Sequence, residues 1–459
     1  MDGNRLLRPV AASVLTALLA AACGGGGSDA APAVVTAGVV GTSAKWTMPI
    51  ELEHQPGKVE YPSAGMSAGG DIITVFAQRI GDRIAVHAVH GNVDAMRFGA
   101  PRIIDQASTS AQSPLQLSGK MQSATQVAVN PATGDAVAVW SAMTGSVPHV
   151  WSAHYHRAAD AWSAPVQLDA AAGGASYPSV AMNAQGKAIA AWSEVPVDSA
   201  LRSTGAAVFA GGTWHRPVRL STRAAGEAPQ PGIDAAGNML VAWVEQDASG
   251  TDDIVAARIA STGMVEHTQV VDASAAPAAL PALAVAPGGT AVLAWVQSDG
   301  SHASVHASRF AGNGWSAPER IENLPNTSFA PAVTLNDAGG FVAWEQEEAA
   351  GFSGHAYVAR LNASEGWEEP VRVYTRGGYM PAIRIQDNGD ALMIWLAAHT
   401  QYARYSAASG RWSEVTNLSP YNCGNGHTLA FDPATGKAFA AWIPSVCSRS
   451  YDLYAAFFR

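Results

Sequence analysis

Charged side chains are scarce in this chain of 459 residues, where Asp, Glu, Lys and Arg together make up 14%. Acidic residues outnumber basic ones, 37 to 27, and the formal net charge is −10. Because there is no basic stripe or arginine-rich run, nucleic acid is excluded as the main partner. Cysteine is nearly absent, with three residues. Beyond the apolar run near the start, no segment approaches the length of a transmembrane helix.

The chain does contain a sequence motif, here called a phrase, that is repeated eight times, about every 50 residues. It consists of a Pro-led apolar stretch, a Gly turn, an apolar stretch ending in an aromatic residue, and a later Trp-x-x-Pro. The clearest copy runs from Pro178 through Gly186 to Trp192, and then to Trp214–Pro217. Such a period indicates a propeller or a solenoid. The eight aromatic residues are Phe76, Trp140, Trp192, Trp243, Trp295, Trp344, Trp395 and Trp442.

Each copy predicts four short strands, the unit of a propeller blade. Asn183 and Gly186 tolerate the positive φ of a hairpin turn between the first two strands. The Trp-x-x-Pro phrase falls on the fourth strand, and a proline in a strand belongs at an edge because it lacks a donor N–H. The longer interval between Phe76 and Trp140 contains a polar run, Gln106–Ser123, which predicts an expanded loop.

The ends of the repeat predict how the ring closes. The last copy, from Gly426 to Arg459, has only three strands, and an orphan fourth-strand phrase, Trp46–Leu52, precedes the first copy. We therefore expect the N-terminal strand to complete the last blade, which removes exposed sheet edges. The predicted fold is an all-β, eight-bladed propeller of four-stranded antiparallel blades, with seven blades as the alternative. The strand-two aromatic residues are expected to pack between neighbouring blades.

The first residues predict export. A basic start, an apolar run from Val10 to Ala22 and small residues before Cys23 are typical of a secretory signal peptide. Ala20-Ala21-Ala22-Cys23 resembles a bacterial lipobox, which implies cleavage before Cys23 and a lipid on its sulfur. Gly24 after it favours the outer membrane, with the protein periplasmic or surface-exposed. An unmodified cysteine behind an ordinary signal peptide is the alternative.

This pattern divides the chain into three parts. Residues 1–22 form a lipoprotein signal peptide, residues 23–42 a flexible Gly/Ala/Pro linker, and residues 43–459 a single propeller domain. The other two cysteines, Cys423 and Cys447, flank the predicted hairpin turn Pro433–Gly436 at nearly equal distances, so they would face each other across the hairpin. Outside the cytoplasm a disulfide is expected between them, and two free thiols are the alternative.

Loops that join the second and third strands of propeller blades usually hold the ligand. Here they are long, polar and acidic, so they are suited to a cation or a basic partner, although a solvated loop face explains them as well. The candidate ligand-face residues are Glu194, Glu245, Asp247, Asp252, Asp253, Asp299, Glu345 and Glu347. Glu348 lies in the same loops.

Metal binding has weak support. The segment Asp247–Asp253 has the oxygen-rich character of a calcium loop but lacks a full EF-hand pattern. His154 and His156 share one face of a predicted strand, yet no third ligand is close in sequence. No cofactor is therefore expected, with calcium as the alternative.

The position two residues after the aromatic is usually Gln or Glu. Because it recurs in most blades, it predicts a structural role, such as bonding to the backbone of a neighbouring loop. A functional site, in contrast, is expected in only one or two blades. The recurring residues are Gln78, Glu194, Glu245, Gln297 and Gln346.

Repeats such as Pro178–Trp192 followed by Trp214-x-x-Pro217 resemble those of bacterial exported sialidase-like propeller lipoproteins, most of them uncharacterised. The resemblance covers nearly all of Ala44–Arg459 and implies the fold. It implies no activity, because the Asp-box (Ser-x-Asp-x-Gly-x-x-Trp) and the Arg of the Phe/Tyr-Arg-Ile-Pro segment are both absent. Tyr379-Met380-Pro381 lacks that Arg, and no Tyr nucleophile with a Glu partner can be assigned.

Two classes of function stay open. The first is a monomeric cell-envelope binding or scaffold module for a glycan, peptide or envelope protein, attached to the membrane through its lipid only. The alternative is a glycoside hydrolase or lyase with a carboxylate site at the channel mouth, which needs two carboxylates roughly 5 to 9.5 Å apart. Because no catalytic signature is found, the sequence leans away from an enzyme. A role in assembling outer-membrane proteins rests on fold analogy alone.

Overall fold

The computed structural model describes residues 45–459 apart from 54–56, 81–82, 106–109, 112–115, 118–119, 122–124, 172, 196–200, 222, 227, 273, 299, 313, 323, 348–353, 363, 365, 375–376, 420–425 and 445–451. Described strands build eight antiparallel sheets of at least four strands each, arranged as eight blades, and a separate two-stranded ribbon. The prediction of an all-β, eight-bladed propeller is confirmed. No described helix is long and apolar enough to cross a membrane.

The strands of the first half follow the chain from the closing strand into blade 4. They are β1 Ile50–Glu51; in blade 1, β2 Lys58–Met66, β3 Asp71–Ile80, β4 Arg83–Asn92, β5 Arg97–Phe98 and β6 Arg102–Ile103; in the expanded segment, β7 Ser110–Ala111, β8 Gln116–Leu117 and β9 Lys120–Met121; in blade 2, β10 Thr125–Val129, β11 Ala136–Thr144, β12 Val147–His156, β13 Ala161–Trp162 and β14 Val166–Gln167; in blade 3, β15 Ala175–Met182, β16 Ala188–Glu194, β17 Ser203–Ala210, β18 Thr213–Trp214 and β19 Val218–Arg219; in blade 4, β20 Gln230–Ile233, β21 Met239–Gln246, β22 Asp252–Ile259 and β23 Val265–Asp272.

The second half continues the pattern to the last blade. Its strands are, in blade 5, β24 Ala278–Val285, β25 Ala291–Ser298, β26 Ala303–Phe310 and β27 Glu319–Arg320; in blade 6, β28 Ser328–Asn336, β29 Gly339–Gln346, β30 His355–Asn362, β31 Gly366–Trp367 and β32 Val371–Arg372; in blade 7, β33 Tyr379–Ile385, β34 Ala391–Leu396, β35 Thr400–Ser406, β36 Arg411–Trp412 and β37 Thr416–Asn417; in blade 8, β38 His427–Phe431, β39 Ala438–Trp442 and β40 Tyr454–Phe458. A 3-10 turn, Arg157–Ala159, follows β12.

The Trp-x-x-Pro phrase splits the outermost strand into two short pieces in most blades. In blade 2, Trp162 ends β13 and Pro165 separates it from β14, and both pieces pair with β12. The proline therefore lies at the edge of the sheet, where no neighbour needs its N–H. The expanded segment after blade 1 contains β7, which pairs with β11, and the ribbon of β8 and β9.

The N-terminal strand closes the ring, as predicted. In blade 8 the order is β1-β40-β39-β38, so β1 is the outermost strand of the sheet that contains the C-terminus. Trp46 forms a bridge with Phe458, and its ring lies 5.2 Å from that of Phe458. At the other end of this strand the Gln78 amide donates a 2.7 Å hydrogen bond to Glu53, which joins blade 8 to blade 1.

Apolar side chains pack between blades rather than within them. Eight clusters of buried residues each combine side chains from two consecutive blades, including blades 8 and 1, and each contains one of the recurring aromatic residues. All eight aromatic residues are 0% exposed. Burial of such a large side chain contributes roughly 1.5 to 3 kcal/mol. The predicted packing between blades is therefore confirmed.

The two faces of the ring differ. We call the face with the connections between second and third strands, such as residues 247–251, the loop face. The turn face contains the hairpins between first and second strands, such as residues 234–238. On the turn face the hairpins of consecutive blades bond to one another: Ala68 N–H to the Pro131 carbonyl at 2.8 Å, and Asp387 N–H to the Pro433 carbonyl at 2.9 Å. This belt fixes neighbouring blades at their inner ends.

Candidate functional site

The recurring Gln or Glu on the loop face holds the blades together. Glu194 accepts a 2.9 Å hydrogen bond from the Trp192 indole, and Glu245 accepts one of 2.8 Å from Trp243. Two residues along a strand point to the same side, so this spacing places a carboxylate next to a buried N–H. These two candidate residues therefore satisfy the indole groups of their own blades.

The amides at the same position bond to the loop that leads into their blade, as the repeat predicts. Gln346 donates to the carbonyls of Pro325 and Asn326 at 3.3 and 3.1 Å. Gln297 donates to Asp272 at 2.6 Å and to the Ala276 carbonyl at 3.2 Å. Sequence reasoning missed Asp272, which is buried, because it ends an outer strand that lacks the Trp-x-x-Pro phrase.

The acidic residues of blade 4 lie together on the loop face. Asp247 accepts a 2.7 Å hydrogen bond from the Ser249 hydroxyl, and the backbone N–H groups of Thr251 and Ser249 donate to it at 2.8 and 2.7 Å. These bonds lower its pKa. Burial raises the pKa of Asp252, and burial, with the charges of Asp247, Asp272 and Asp252, raises the pKa of Asp253 to about 6. The Oδ1 atom of Asp253 is buried without a hydrogen-bond partner in the described part of the chain.

No metal site follows from these carboxylates. Among the residues that the structure describes, no group of three or more His, Cys, Asp or Glu side chains is arranged to hold a metal ion. The rings of His154 and His156 lie side by side, with centroids 4.1 Å apart, on β12. Asp299, Glu348 and the three cysteines, Cys23, Cys423 and Cys447, lie outside the described residues, so their predicted roles stay predictions.

Glu345 differs from every other acidic candidate. It is the residue directly after the blade 6 aromatic, so its side chain points to the opposite side of the strand from Gln346, toward blade 7. It is 8% exposed, and no described residue donates a hydrogen bond to its carboxyl group. At the equivalent positions the other blades have small or aliphatic residues: Ala77, Ser141, Ser193, Val244, Val296, Leu396 and Ile443.

The surroundings of Glu345 keep its carboxyl group protonated at neutral pH. Burial, with the charge of Glu347, raises its pKa to about 8. Its side chain packs so closely on Gly354 that a Cβ there would lie 2.4 Å from the carboxylate. Tyr379, at the start of the blade 7 inner strand, is close enough that burial and then the Glu345 charge raise the phenol pKa. A Tyr and a Glu are thus brought together, which the sequence did not allow us to assign.

Glu347 lies beside Glu345 on the same extended segment. Its backbone N–H bonds to the Thr327 carbonyl at 2.9 Å, so the chain stays extended one residue beyond β29. Residues two apart in a strand are about 6.6 Å apart and point to one side. The charge of Glu347 contributes to the raised pKa of Glu345, so the two carboxyl groups lie close together. Glu345, Glu347 and Tyr379 form what we call the mouth site.

A second polar cluster lies on the turn face between blades 1 and 2. The Tyr155 hydroxyl donates to Asp160 at 2.7 Å and lies 3.0 Å from His90 Nδ1, while His90 Nε2 lies 3.3 Å from Asp71. Arg157 pairs with Asp71 at 2.8 Å. Each group is thus paired with its neighbours, so the cluster joins two blades. Its residues belong to different blades, and the repeat gave no signal for it.

Comparison with known proteins finds solved structures at low sequence identity. No family model matches the chain, and no curated protein sequence matches it. Among solved structures, an unknown function protein from Dyadobacter fermentans is 11% identical with a TM-score of 0.43, over 91% of this chain and 99% of that one. An ulvan lyase is 11% identical with a TM-score of 0.46, over 87% and 93%. The NanB sialidase from Streptococcus pneumoniae is 9% identical with a TM-score of 0.40, over 80% and 70%.

Proposed function

We propose that this protein is an exported, lipid-anchored propeller that cleaves glycosidic bonds at the mouth site. The observation that carries the proposal is Glu345, a buried carboxyl group in one blade where seven others have small or aliphatic residues. A general acid must be protonated at the working pH, and a pKa of about 8 meets that requirement. The export and the anchor are supported by the residues up to Cys23.

In this mechanism Glu345 donates its proton to the oxygen that leaves the scissile bond. Glu347, two residues further along the chain, acts as the base or nucleophile. Tyr379 begins the inner strand of blade 7, at its loop-face end, where its ring would pack against the apolar face of a sugar. One carboxyl group kept protonated by its surroundings, beside a second carboxylate, is the arrangement that assigns acid and base roles.

The test starts with a panel of neutral and acidic polysaccharides. Products are measured as new reducing ends, for hydrolysis, and by absorbance near the ultraviolet band of an unsaturated uronide, for a lyase. Replacement of Glu345 by Gln is expected to reduce kcat by about 10²- to 10⁴-fold, the usual contribution of a general acid. Glu245→Gln is the matched control, because it alters an equally buried carboxyl group that is bonded to Trp243. Full activity of the Glu345→Gln protein would sink the proposal.

A binding module without catalysis is the second candidate, and the acidic residues of blade 4 favour it. Asp253 is 7% exposed, and repulsion from its acidic neighbours contributes to its raised pKa. A basic group of a peptide or protein partner would relieve that repulsion. Retention of a basic peptide by the wild-type protein, lost in Asp253→Asn and unchanged in Glu345→Gln, would favour this candidate. Equal retention by the Asp253→Asn protein would count against it.

A further inference from the structure

The inner strands of the eight blades have one position that differs in a single blade. In each blade, one residue of the inner strand pairs with the residue that lies three positions before the recurring aromatic residue. These eight inner-strand residues therefore occupy equivalent places in the ring. Blade 7 has Arg384 at this place, and the other seven blades have a small residue. The seven small residues are Gly65, Ala128, Ala181, Gly232, Ala284, Thr334 and Ala430.

Arg384 faces the central channel. It lies on β33, which has a sheet neighbour on one side only, and it is exposed, whereas Ile383 and Ile385 on either side are buried between blades. Solvent that reaches an inner strand is the water of the channel. The protein that encloses the channel removes part of the bulk water around the guanidinium, and this desolvation lowers its pKa from the ordinary value. Arginine nevertheless stays charged in proteins.

The rest of the inner wall is almost without charge. Among the described inner strands, the other charged side chains are Lys58 and Glu60 on β2, which pair with each other at 3.8 Å. His427, on the inner strand of blade 8, is kept neutral because burial lowers its pKa to about 4. Arg384 is therefore the one unpaired charge on the described inner strands.

Several other arginines of the propeller have carboxylate partners. Arg309 pairs with Glu319 at 3.0 Å and Arg360 with Glu368 at 2.8 Å. The Arg384 guanidinium has one hydrogen bond among the described residues, from Nη1 to the Ile383 carbonyl at 2.9 Å. Its other N–H groups have no hydrogen-bond partner among the described residues.

We propose that Arg384 binds an anionic group, a carboxylate or a sulfate, in the central channel. The planar guanidinium matches such a group with two parallel hydrogen bonds, which a lysine cannot reproduce. At the equivalent place in the other seven blades the side chain is too short to occupy the space that Arg384 occupies in blade 7. This site is separate from the mouth site, and its test does not require catalytic activity.

The test measures binding of sulfate, glucuronate and polygalacturonate by calorimetry at constant ionic strength. The proteins are wild type, Arg384→Met, Arg384→Lys and, as control, Arg411→Ala, which alters an exposed arginine on the outer strand of blade 7. Arg384→Met is expected to weaken binding at least tenfold, and Arg384→Lys to weaken it less. The control is expected to bind like wild type.

The pattern of binding identifies the ligand. Arg384-dependent binding of sulfate or glucuronate supports a site for a free anion, and binding of polygalacturonate alone supports a site for an anionic polymer. No binding of any probe by wild type, or equal binding by the Arg384→Met protein, would overturn the proposal. If the Met variant does not fold, the Lys variant decides, because an unchanged affinity there contradicts a role for the guanidinium fork.

Discussion

Glu245 and Glu345 lie on the second strands of two blades and are almost equally buried, 9% and 8% exposed. Their chemistry differs because one follows its tryptophan by two residues and the other by one. The even spacing places Glu245 on the same side as the Trp243 indole, which donates a hydrogen bond to it. The odd spacing turns Glu345 to the side where the described residues offer no donor. One residue of offset thus separates a carboxylate that bonds to its own indole from a carboxyl group without such a donor.

This difference predicts how stability depends on pH. The Glu345 pKa is raised to about 8 in the folded protein, whereas an unfolded glutamate titrates near 4.3. Between these values the folded state binds more protons, so its stability falls as the pH rises from about 4.3 to about 8. Glu345→Gln is expected to remove this component, which amounts to a few kcal/mol at 1.36 kcal/mol per pKa unit. Urea denaturation at a series of pH values measures it.

The control for this prediction is Glu245→Gln. That change keeps an acceptor for the Trp243 indole and leaves the Glu345 carboxyl group in place. Its stability curve is expected to keep the wild-type slope between about pH 4.3 and pH 8. The same slope in wild type and the Glu345→Gln protein would show that the carboxyl group titrates normally in the folded state.

At the level of the element, the inner strands contain a repeated irregularity. In five blades the residue before the strand-one proline has a positive φ, between 47° and 65°, and the register shifts there in four of them. This bulge lies at the loop-face end of the strand, next to the channel mouth. Bulges of this kind are common next to functional sites, where they reorient side chains. The residues are Tyr177, Ala228, Leu280, Ala330 and Met380.

A pair of glycine substitutions on β28 tests whether the bulge is strained. Ala330 has φ 47°, a conformation that costs a residue with a Cβ roughly 1 to 2 kcal/mol. Ala330→Gly is therefore expected to leave the free energy of unfolding unchanged or to raise it by up to about 1 kcal/mol. Ala332→Gly, two residues on in ordinary strand geometry, is expected to lower it by about 0.5 to 1 kcal/mol. Equal losses in both proteins would mean that the bulge is not strained.

Individual elements show what was predictable from sequence. The strand-two aromatic residues were predictable because they recur at a nearly fixed period, and all eight are buried. The clearest copy of the repeat starts at Pro178, but strand one of blade 3 begins at Ala175, ahead of that proline. The proline concealed that start because the strand continues through a bulge. The mouth site was predictable only in part, since Glu345 and Glu347 were candidates but Tyr379 reaches them from the next blade.

For the molecule as a whole, stability depends on closure by a strand that is distant in sequence from its blade. Trp46 packs on Phe458 and Tyr402, with centroids 5.2 and 5.9 Å apart. Its counterpart in blade 7, Trp412, packs in the same way on Tyr405, 5.5 Å away. The two tryptophans differ because the Trp412 strand follows its neighbours directly along the chain, whereas the Trp46 strand is joined to its sheet by contacts alone.

Removal of the Trp46 ring is therefore expected to have a different consequence from removal of the Trp412 ring. Both Trp46→Ala and Trp412→Ala are expected to lower the free energy of unfolding, by up to the 3 to 5 kcal/mol typical of a large aromatic residue. Only Trp46→Ala is expected to let the first strand detach under native conditions. Limited trypsin digestion would detect this as faster cleavage after Lys58. Equal cleavage rates in the two variants would contradict closure by this strand.

The direction of the closing strand also sets an orientation. Lys45 donates its backbone N–H to the Arg459 carbonyl, whereas Leu52, at the far end, bonds to Leu453, where the loop between second and third strands ends. The chain thus enters the ring from the turn face and runs toward the loop face. With a lipid on Cys23, the tether would join the propeller at the turn face, on the side opposite the mouth site. A large polymer could then reach the mouth without passing the point where the tether joins the ring.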